Sequence, residues 1–261
     1  TAGNGSCTSV ASSSFSNAAM LVTPAQPTLG SVTQPTCSVA TGSFTITNYD
    51  PTYTYNVSPA AGVSQSGAVI TAPAGSYTIT ATLGACTSVV SASVTVNAQP
   101  VTPTATISYS ASSFCPSGTA SVTQSGQNGG TYSGTPGLAI DPSTGVIDLV
   151  NSTAGLHTIT YSFTNGSCSN TATATITIHP KMTFTVSAAN VVCKGTSTGT
   201  VTVTVTSGGS GHYNFKLISG ATVLTGSPSS GINSYQFTGV AKGIYSIIVE
   251  DINTGCSTVC P

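Results

Sequence analysis

Three histidines, five carboxylates and eight cysteines are the side chains through which this chain of 261 residues could do acid–base, metal or redox chemistry. Acid–base catalysis needs two titratable groups within reach of one reacting atom. The histidines offer no such pair. His157 fills the slot that Tyr77 and Tyr245 fill in parallel segments and reads as a packed strand residue, His179 precedes Pro180, and His212 stands in a glycine-rich turn. The acids Asp50, Asp141, Asp148, Glu250 and Asp251 are scattered, so a glycosidase pair would have to be assembled across segments. Adjacent Glu250 and Asp251 point to opposite faces if their strand continues. Serine is abundant, but no G-x-S-x-G elbow presents one as a nucleophile. No catalytic residue is assigned and no enzyme is expected.

Metal and cofactor chemistry fare no better. The D-x-D-x-D-G calcium loop is absent, and Asp141 and Asp148 read as turn caps in a hairpin. The glycine-rich run 124–130 lacks the lysine and the helix of a phosphate cradle and reads as a loop. Among the cysteines only Cys256 and Cys260 lie close together, with no histidine near enough to complete a zinc set. No cofactor and no metal ligand are assigned. Eight cysteines without metal spacing instead point to disulfides and an oxidising, extracellular compartment.

Composition narrows the partners. Charged residues make up 3% of the chain and the net charge is −1, against a usual quarter charged. A run of phosphates cannot be neutralised with four basic side chains, so neither nucleic acid nor an anionic membrane surface is an expected partner. No apolar run reaches the roughly 18 residues that span a bilayer, so no membrane insertion is expected of this segment. With 39% hydrophobic residues the chain is nonetheless built to fold.

The elements that must position these groups repeat. Segments opening at Cys37, Cys115 and Cys193 each lead through a glycine (Gly42, Gly118, Gly199) into alternating apolar residues. Each closes through a glycine and a ring, in AGSYTITATLGAC to Cys86, AGLHTITYSFTNGSC to Cys168 and KGIYSIIVEDINTGC to Cys256. Period-two alternation of β-branched residues between Gly, Pro and Asn clusters predicts an all-β chain of tandem immunoglobulin-like antiparallel sandwiches. Pro100 and Pro180 mark linkers, which predicts repeats over 27–100, 101–180 and 181–261. Residues 1–26 match only a closing section and are expected to end an earlier repeat, while Cys260-Pro261 is expected to start a further one. This arrangement predicts one disulfide inside each sandwich: Cys37 with Cys86, Cys115 with Cys168 and Cys193 with Cys256. Cys7 and Cys260 are then left unpaired or paired outside the segment.

Tyr49, Tyr53 and Tyr55 could form a stacking platform for sugars. Tyr53 and Tyr55 occupy the places of Tyr213 and Phe215, which favours core packing. The sequons at Asn4, Asn56, Asn151 and Asn165 would act only in a eukaryotic secretory pathway. A lysine–asparagine isopeptide bond in the third repeat would use Lys194, Lys216 or Lys242.

The third segment, from Cys193-Lys-Gly through GGSGHYNFKL to KGIYSIIVEDINTGC, resembles the SprB-type repeat of very large surface adhesins of Bacteroidota. The first segment is similar but shorter, and the second, with GLAIDPSTGVIDL, resembles the immunoglobulin-like and cadherin-like modules of the same proteins. The resemblance implies a secreted, outer-membrane-attached surface protein exported by the type IX route and, in some members, moved in gliding. It implies a non-enzymatic stalk or filament segment whose partners are neighbouring repeats, surface glycans or other adhesin chains. Two other readings are a carbohydrate-binding array of a secreted enzyme and a filament subunit donating a terminal strand such as Ser9 to Val22.

Overall fold

A computed structural model describes residues 22–189 and 198–260. Every regular element among them is a β-strand, as the alternation of Thr and Ser with Val, Ile and aromatic residues dictates. The chain divides into two compact units, Thr1–Val101 and Thr102–Pro261. The expected terminal section 1–26 and the donor strand Ser9 to Val22 lie almost wholly outside the described residues, as do Cys7, Cys193 and Lys194.

The first unit is built from β1 (Gly42–Thr45), β2 (Thr54–Ser58), β3 (Ser64–Ser66), β4 (Val69–Ala72), β5 (Gly75–Leu83), β6 (Cys86–Thr87) and β7 (Val94–Val96). One sheet has the order β1-β4-β3; in the other, β5 pairs with β2, β6 and β7. Along β5 Tyr77, Ile79 and Ala81 point inward and meet Phe44, Ile46, Ile70, Ala72 and Val96 in the core. The closing run 88–96, expected as one strand, is interrupted between β6 and β7. There the Ser88 and Ser91 hydroxyls accept the Ala81 and Ile79 amides at 2.9 Å each, so side chains replace carbonyls the ladder lacks.

The second unit holds two cores. The first surrounds Ile147, Ile159, Tyr161, Ile176 and Ile178. Its strands are β8 (Ala105–Tyr109), β9 (Ser113–Phe114), β10 (Thr119–Ala120), β11 (Val122–Gly126), β12 (Thr131–Gly134), β13 (Ile147–Asp148), β14 (Gly155–Thr164) and β15 (Ser169–Ile178). The main sheet has the order β12-β14-β15-β9, with pairs β11-β8 and β10-β13 beside it. β9 runs parallel to the end of β15, with Ser113 opposite Thr177 and Phe114 opposite Ile178.

The second core surrounds Val203, Phe215, Leu217, Phe237 and Val249. It lies between β16 (Thr183–Ala189), β17 (Gly199–Ser207), β18 (Tyr213–Ser219), β19 (Thr222–Gly226), β20 (Ser234–Val240), β21 (Ser246–Asp251) and β22 (Ser257–Cys260). Two sheets, β16-β17-β20 and β19-β18-β21-β22, face each other.

The slot shared by Tyr77, His157 and Tyr245 has one structural job. Tyr77 donates its hydroxyl to the Pro73 carbonyl at 2.9 Å and Tyr245 to Ala241 at 3.0 Å, each four residues upstream. His157 reaches the Thr153 carbonyl through Nε2 at 2.8 Å, and its Nδ1 lies 3.0 Å from the Thr135 hydroxyl. This is the tyrosine corner of immunoglobulin-like sandwiches, with imidazole taking the phenol's place once.

Candidate functional site

The cysteines sit where strand direction puts them. β15 is ten residues long, so at about 3.4 Å per residue its ends lie about 30 Å apart. Cys168 closes the β14–β15 hairpin at the leading end, where the chain enters the sandwich; neighbouring Asn170 donates to the Pro103 carbonyl at 2.9 Å. Cys115 follows β9 at the trailing end, where the amide of His179 donates to the Phe114 carbonyl at 2.9 Å. A disulfide needs Cα atoms within about 7 Å, so the expected Cys115–Cys168 bond cannot form.

Cys115 instead bonds Cys256, with Cα atoms 5.4 Å apart and 141 residues of sequence between them. Cys256 lies in the β21–β22 hairpin at the leading end of the following sandwich, where the Asp251 amide donates to its carbonyl at 2.8 Å. The expected Cys193–Cys256 bond is thereby excluded. The Cys37–Cys86 pairing fails for the same reason as Cys115–Cys168. Gln99 donates to the Cys37 carbonyl at 3.0 Å, at the trailing end, while Cys86 pairs with Leu83 at the leading end of β5. Cys37 is a half-cystine and Cys86 a thiol, as is Cys260. Cys168 is also a half-cystine.

The bond lies beside the linker. Cys115, Pro116, Pro180, Met182, Cys256 and Val259 line a groove of about 330 Å³ between the two sandwiches of the second unit. Met182 is buried in the following core, and Cys115 packs against that same core. Closing a loop of this length is worth about 5 kcal/mol in the chain-entropy model.

Cys256 is positioned by Asp251, a residue whose role the sequence reading missed. Asp251 is fully buried. Its carboxylate accepts the Ser210 amide, the Ser210 hydroxyl at 2.7 Å, the Asn253 amide at 3.0 Å and the Thr254 amide at 3.1 Å. Burial raises its pKa, but the hydrogen bonds from Ser210, Thr254 and Asn253 outweigh that and hold it below the ordinary value. The loop before β18 closes on this carboxylate only because Gly209 has φ +75° and no Cβ, which would lie 2.6 Å from the Tyr213 ring. The visible signal was the pairing of GGS with D-x-N-T-G-C, two turn sequences 41 residues apart.

Neighbouring Glu250 leaves the opposite face and pairs with Lys216 at 2.9 Å, both side chains about a third exposed. The hydrogen bond and charge of Lys216 lower the Glu250 pKa. A lysine held in a solvated ion pair stays protonated and is no nucleophile, so Lys216 does not support an isopeptide bond. Asp141 and Asp148 cap turns, accepting Ser143 and Thr144 amides at 2.8 and 2.9 Å and Val150 and Asn151 amides at 3.0 and 3.1 Å. Among the described residues no three of His, Cys, Asp and Glu gather as a metal site.

The tyrosine cluster packs. Tyr55 is buried, its ring stacked 5.2 Å from that of Tyr49 and 6.4 Å from that of Tyr53, and both neighbours lean on the first core. The Tyr55 hydroxyl accepts the Asp50 amide at 2.8 Å. No open aromatic face is left by Tyr55 for a sugar ring.

Residues 185–222 match the SprB repeat, so the chain carries an SprB-type repeat. No curated protein sequence matches the chain. Among solved structures it is similar to a three-immunoglobulin segment of titin, domains I67–I69, at 12% identity and TM-score 0.34, covering 90% of this chain and 93% of that one. It is also similar to chicken CNTN1 domains FN1–FN3, at 12% identity and TM-score 0.28, covering 90% and 98%. A third is the S-layer protein rSbsC(31-844), at 12% identity and TM-score 0.25, covering 90% of this chain and 54% of that one. Disulfides and the SprB repeat mark an extracellular or surface protein. No helix among the described residues is long and apolar enough to cross a membrane.

Proposed function

We propose that the chain is a non-enzymatic, load-bearing stalk segment of a bacterial cell-surface adhesin, of the kind Bacteroidota export by type IX secretion and in some cases use for gliding. The observation that carries this reading is the Cys115–Cys256 bond between consecutive sandwiches. Tension entering the second unit at β8 reaches Cys115 after a few residues, crosses the sulfurs to Cys256 and leaves through β22. The strands between the two cysteines are bypassed, so their cores cannot be unravelled by end-to-end pulling. A catalytic or ligand-binding protein has no use for such a bypass, whereas a stalk that must keep its length under shear does. The SprB repeat at 185–222 supports the surface setting.

The competing carbohydrate-binding reading rests on Tyr49, Tyr53 and Tyr55, whose packing in the first core argues against it. A glycan array probed with the oxidised chain is expected to retain nothing. Binding that disappears on Tyr53→Ala while the far-ultraviolet spectrum and Tm are kept would replace the stalk reading by the carbohydrate-binding one.

A further inference from the structure

We infer that the cysteines form a head-to-tail relay, in which the opening cysteine of each repeat is oxidised onto the closing cysteine of the repeat that follows, so that Cys37 pairs with Cys168 as Cys115 pairs with Cys256.

The argument starts from position along the strands. In the first sandwich, Cys37 lies at the trailing end, held by Gln99 to its carbonyl, and Gln34 nearby both donates to the Thr95 carbonyl at 3.1 Å and accepts the Asn97 amide at 2.8 Å. In the next, Cys115 lies at the trailing end beside His179. The closing cysteines hold the other end: Cys86 opposite Leu83, Cys168 in the hairpin after Thr164, and Cys256 in the hairpin after Asp251. A sandwich of this design cannot bond its own two cysteines, because a strand of nine or ten residues separates them. Each opening cysteine is presented instead toward whatever follows it in the chain, and each closing cysteine toward whatever precedes it. Cys115 and Cys256 realise that arrangement. Cys37 and Cys168 have the same two positions one repeat earlier, and both are half-cystines.

Each bond removes two protons and two electrons from a pair of thiols. The oxidant is a disulfide-donating protein of the exporting compartment. One cysteine thiolate attacks the donor disulfide and forms a mixed disulfide, expelling the first donor thiolate. The second cysteine thiolate then displaces the other, leaving the chain oxidised and the donor a dithiol.

The four aspartates allow a direct test. Cleavage before Asp50, Asp141, Asp148 and Asp251 separates residues 1–49, 50–140, 148–250 and 251–261. Done without reductant on the oxidised Cys7→Ser, Cys193→Ser chain, the digest is expected to yield 1–49 joined to 148–250, and 50–140 joined to 251–261. Recovery of 1–49 joined to 50–140, or unlinked, overturns the relay. Should that variant fail to fold, the unsubstituted chain is digested with pepsin at low pH and the joined peptides are sequenced by mass spectrometry. A Cys37 peptide bonded to the Cys168 peptide sustains the relay, and bonded to any other cysteine it ends it. The stalk reading survives either result, since the Cys115–Cys256 bypass stands apart from the Cys37 partner.

Discussion

Removing the sulfur bypass has a length that can be worked out beforehand. With handles at Thr102 and Thr258, the path through the intact bond spans 5.4 Å between Cα atoms where the backbone route runs 141 residues. Pulled straight at 3.3–3.6 Å per residue, that backbone route is roughly 470–510 Å long. Cys115→Ser, or reduction of the oxidised chain, is therefore expected to lengthen the extended molecule by roughly that amount. The gain should come in two steps as the two cores of the second unit give way. The assay is single-molecule pulling of the oxidised chain and the variant under identical loading. Equal extended lengths would show that load does not travel through the bond, and the stalk mechanism would fall with it. The same substitution opens the closed loop of the unfolded state, and a loss of up to about 5 kcal/mol is expected in chemical denaturation.

Asp251→Asn puts an amide where the carboxylate accepts the Ser210 amide, and a loss of about 3 kcal/mol is expected in urea denaturation of the third sandwich. Because the folded-state pKa of Asp251 is lowered, its contribution is complete above about pH 4 and fades as pH falls through the folded value; the variant should lack that acid limb, and an unchanged limb would assign it elsewhere. Tyr77→Phe removes the corner hydrogen bond to Pro73 and is expected to cost about 1 kcal/mol in the first unit, read as a fall in its denaturation midpoint with the slope unchanged. Ser88→Ala with Ser91→Ala strips the acceptors from the Ala81 and Ile79 amides, so faster hydrogen exchange at those two amides is the expected result, and unchanged protection would mean that other groups satisfy them.

Much of this was legible in the residues. Tyr77, His157 and Tyr245 line up by sequence alone, and each reaches the carbonyl four residues before it, because a glycine and a ring opening a strand fix a local geometry. The opposed faces of Glu250 and Asp251 follow from strand alternation, and the turn-capping of Asp141 and Asp148 from their short side chains. What escaped was the burial of Asp251. Two of its partners come from Ser210, and nothing in either turn sequence announces the other. The interrupted closing strand also escaped, since Ser88 and Ser91 read as ordinary outward-facing residues.

By itself the sequence determined that the chain is all-β, that it repeats, and that each repeat carries an opening and a closing cysteine. Those features are written in periods of two and in spacings of tens of residues, which local sterics enforce. Only the tertiary structure decided which cysteines meet. Spacing along the chain cannot tell which end of a sandwich a residue occupies, and the folded strands set the two cysteines of a repeat about 30 Å apart, while Cys115 and Cys256, 141 residues distant, come within a bond.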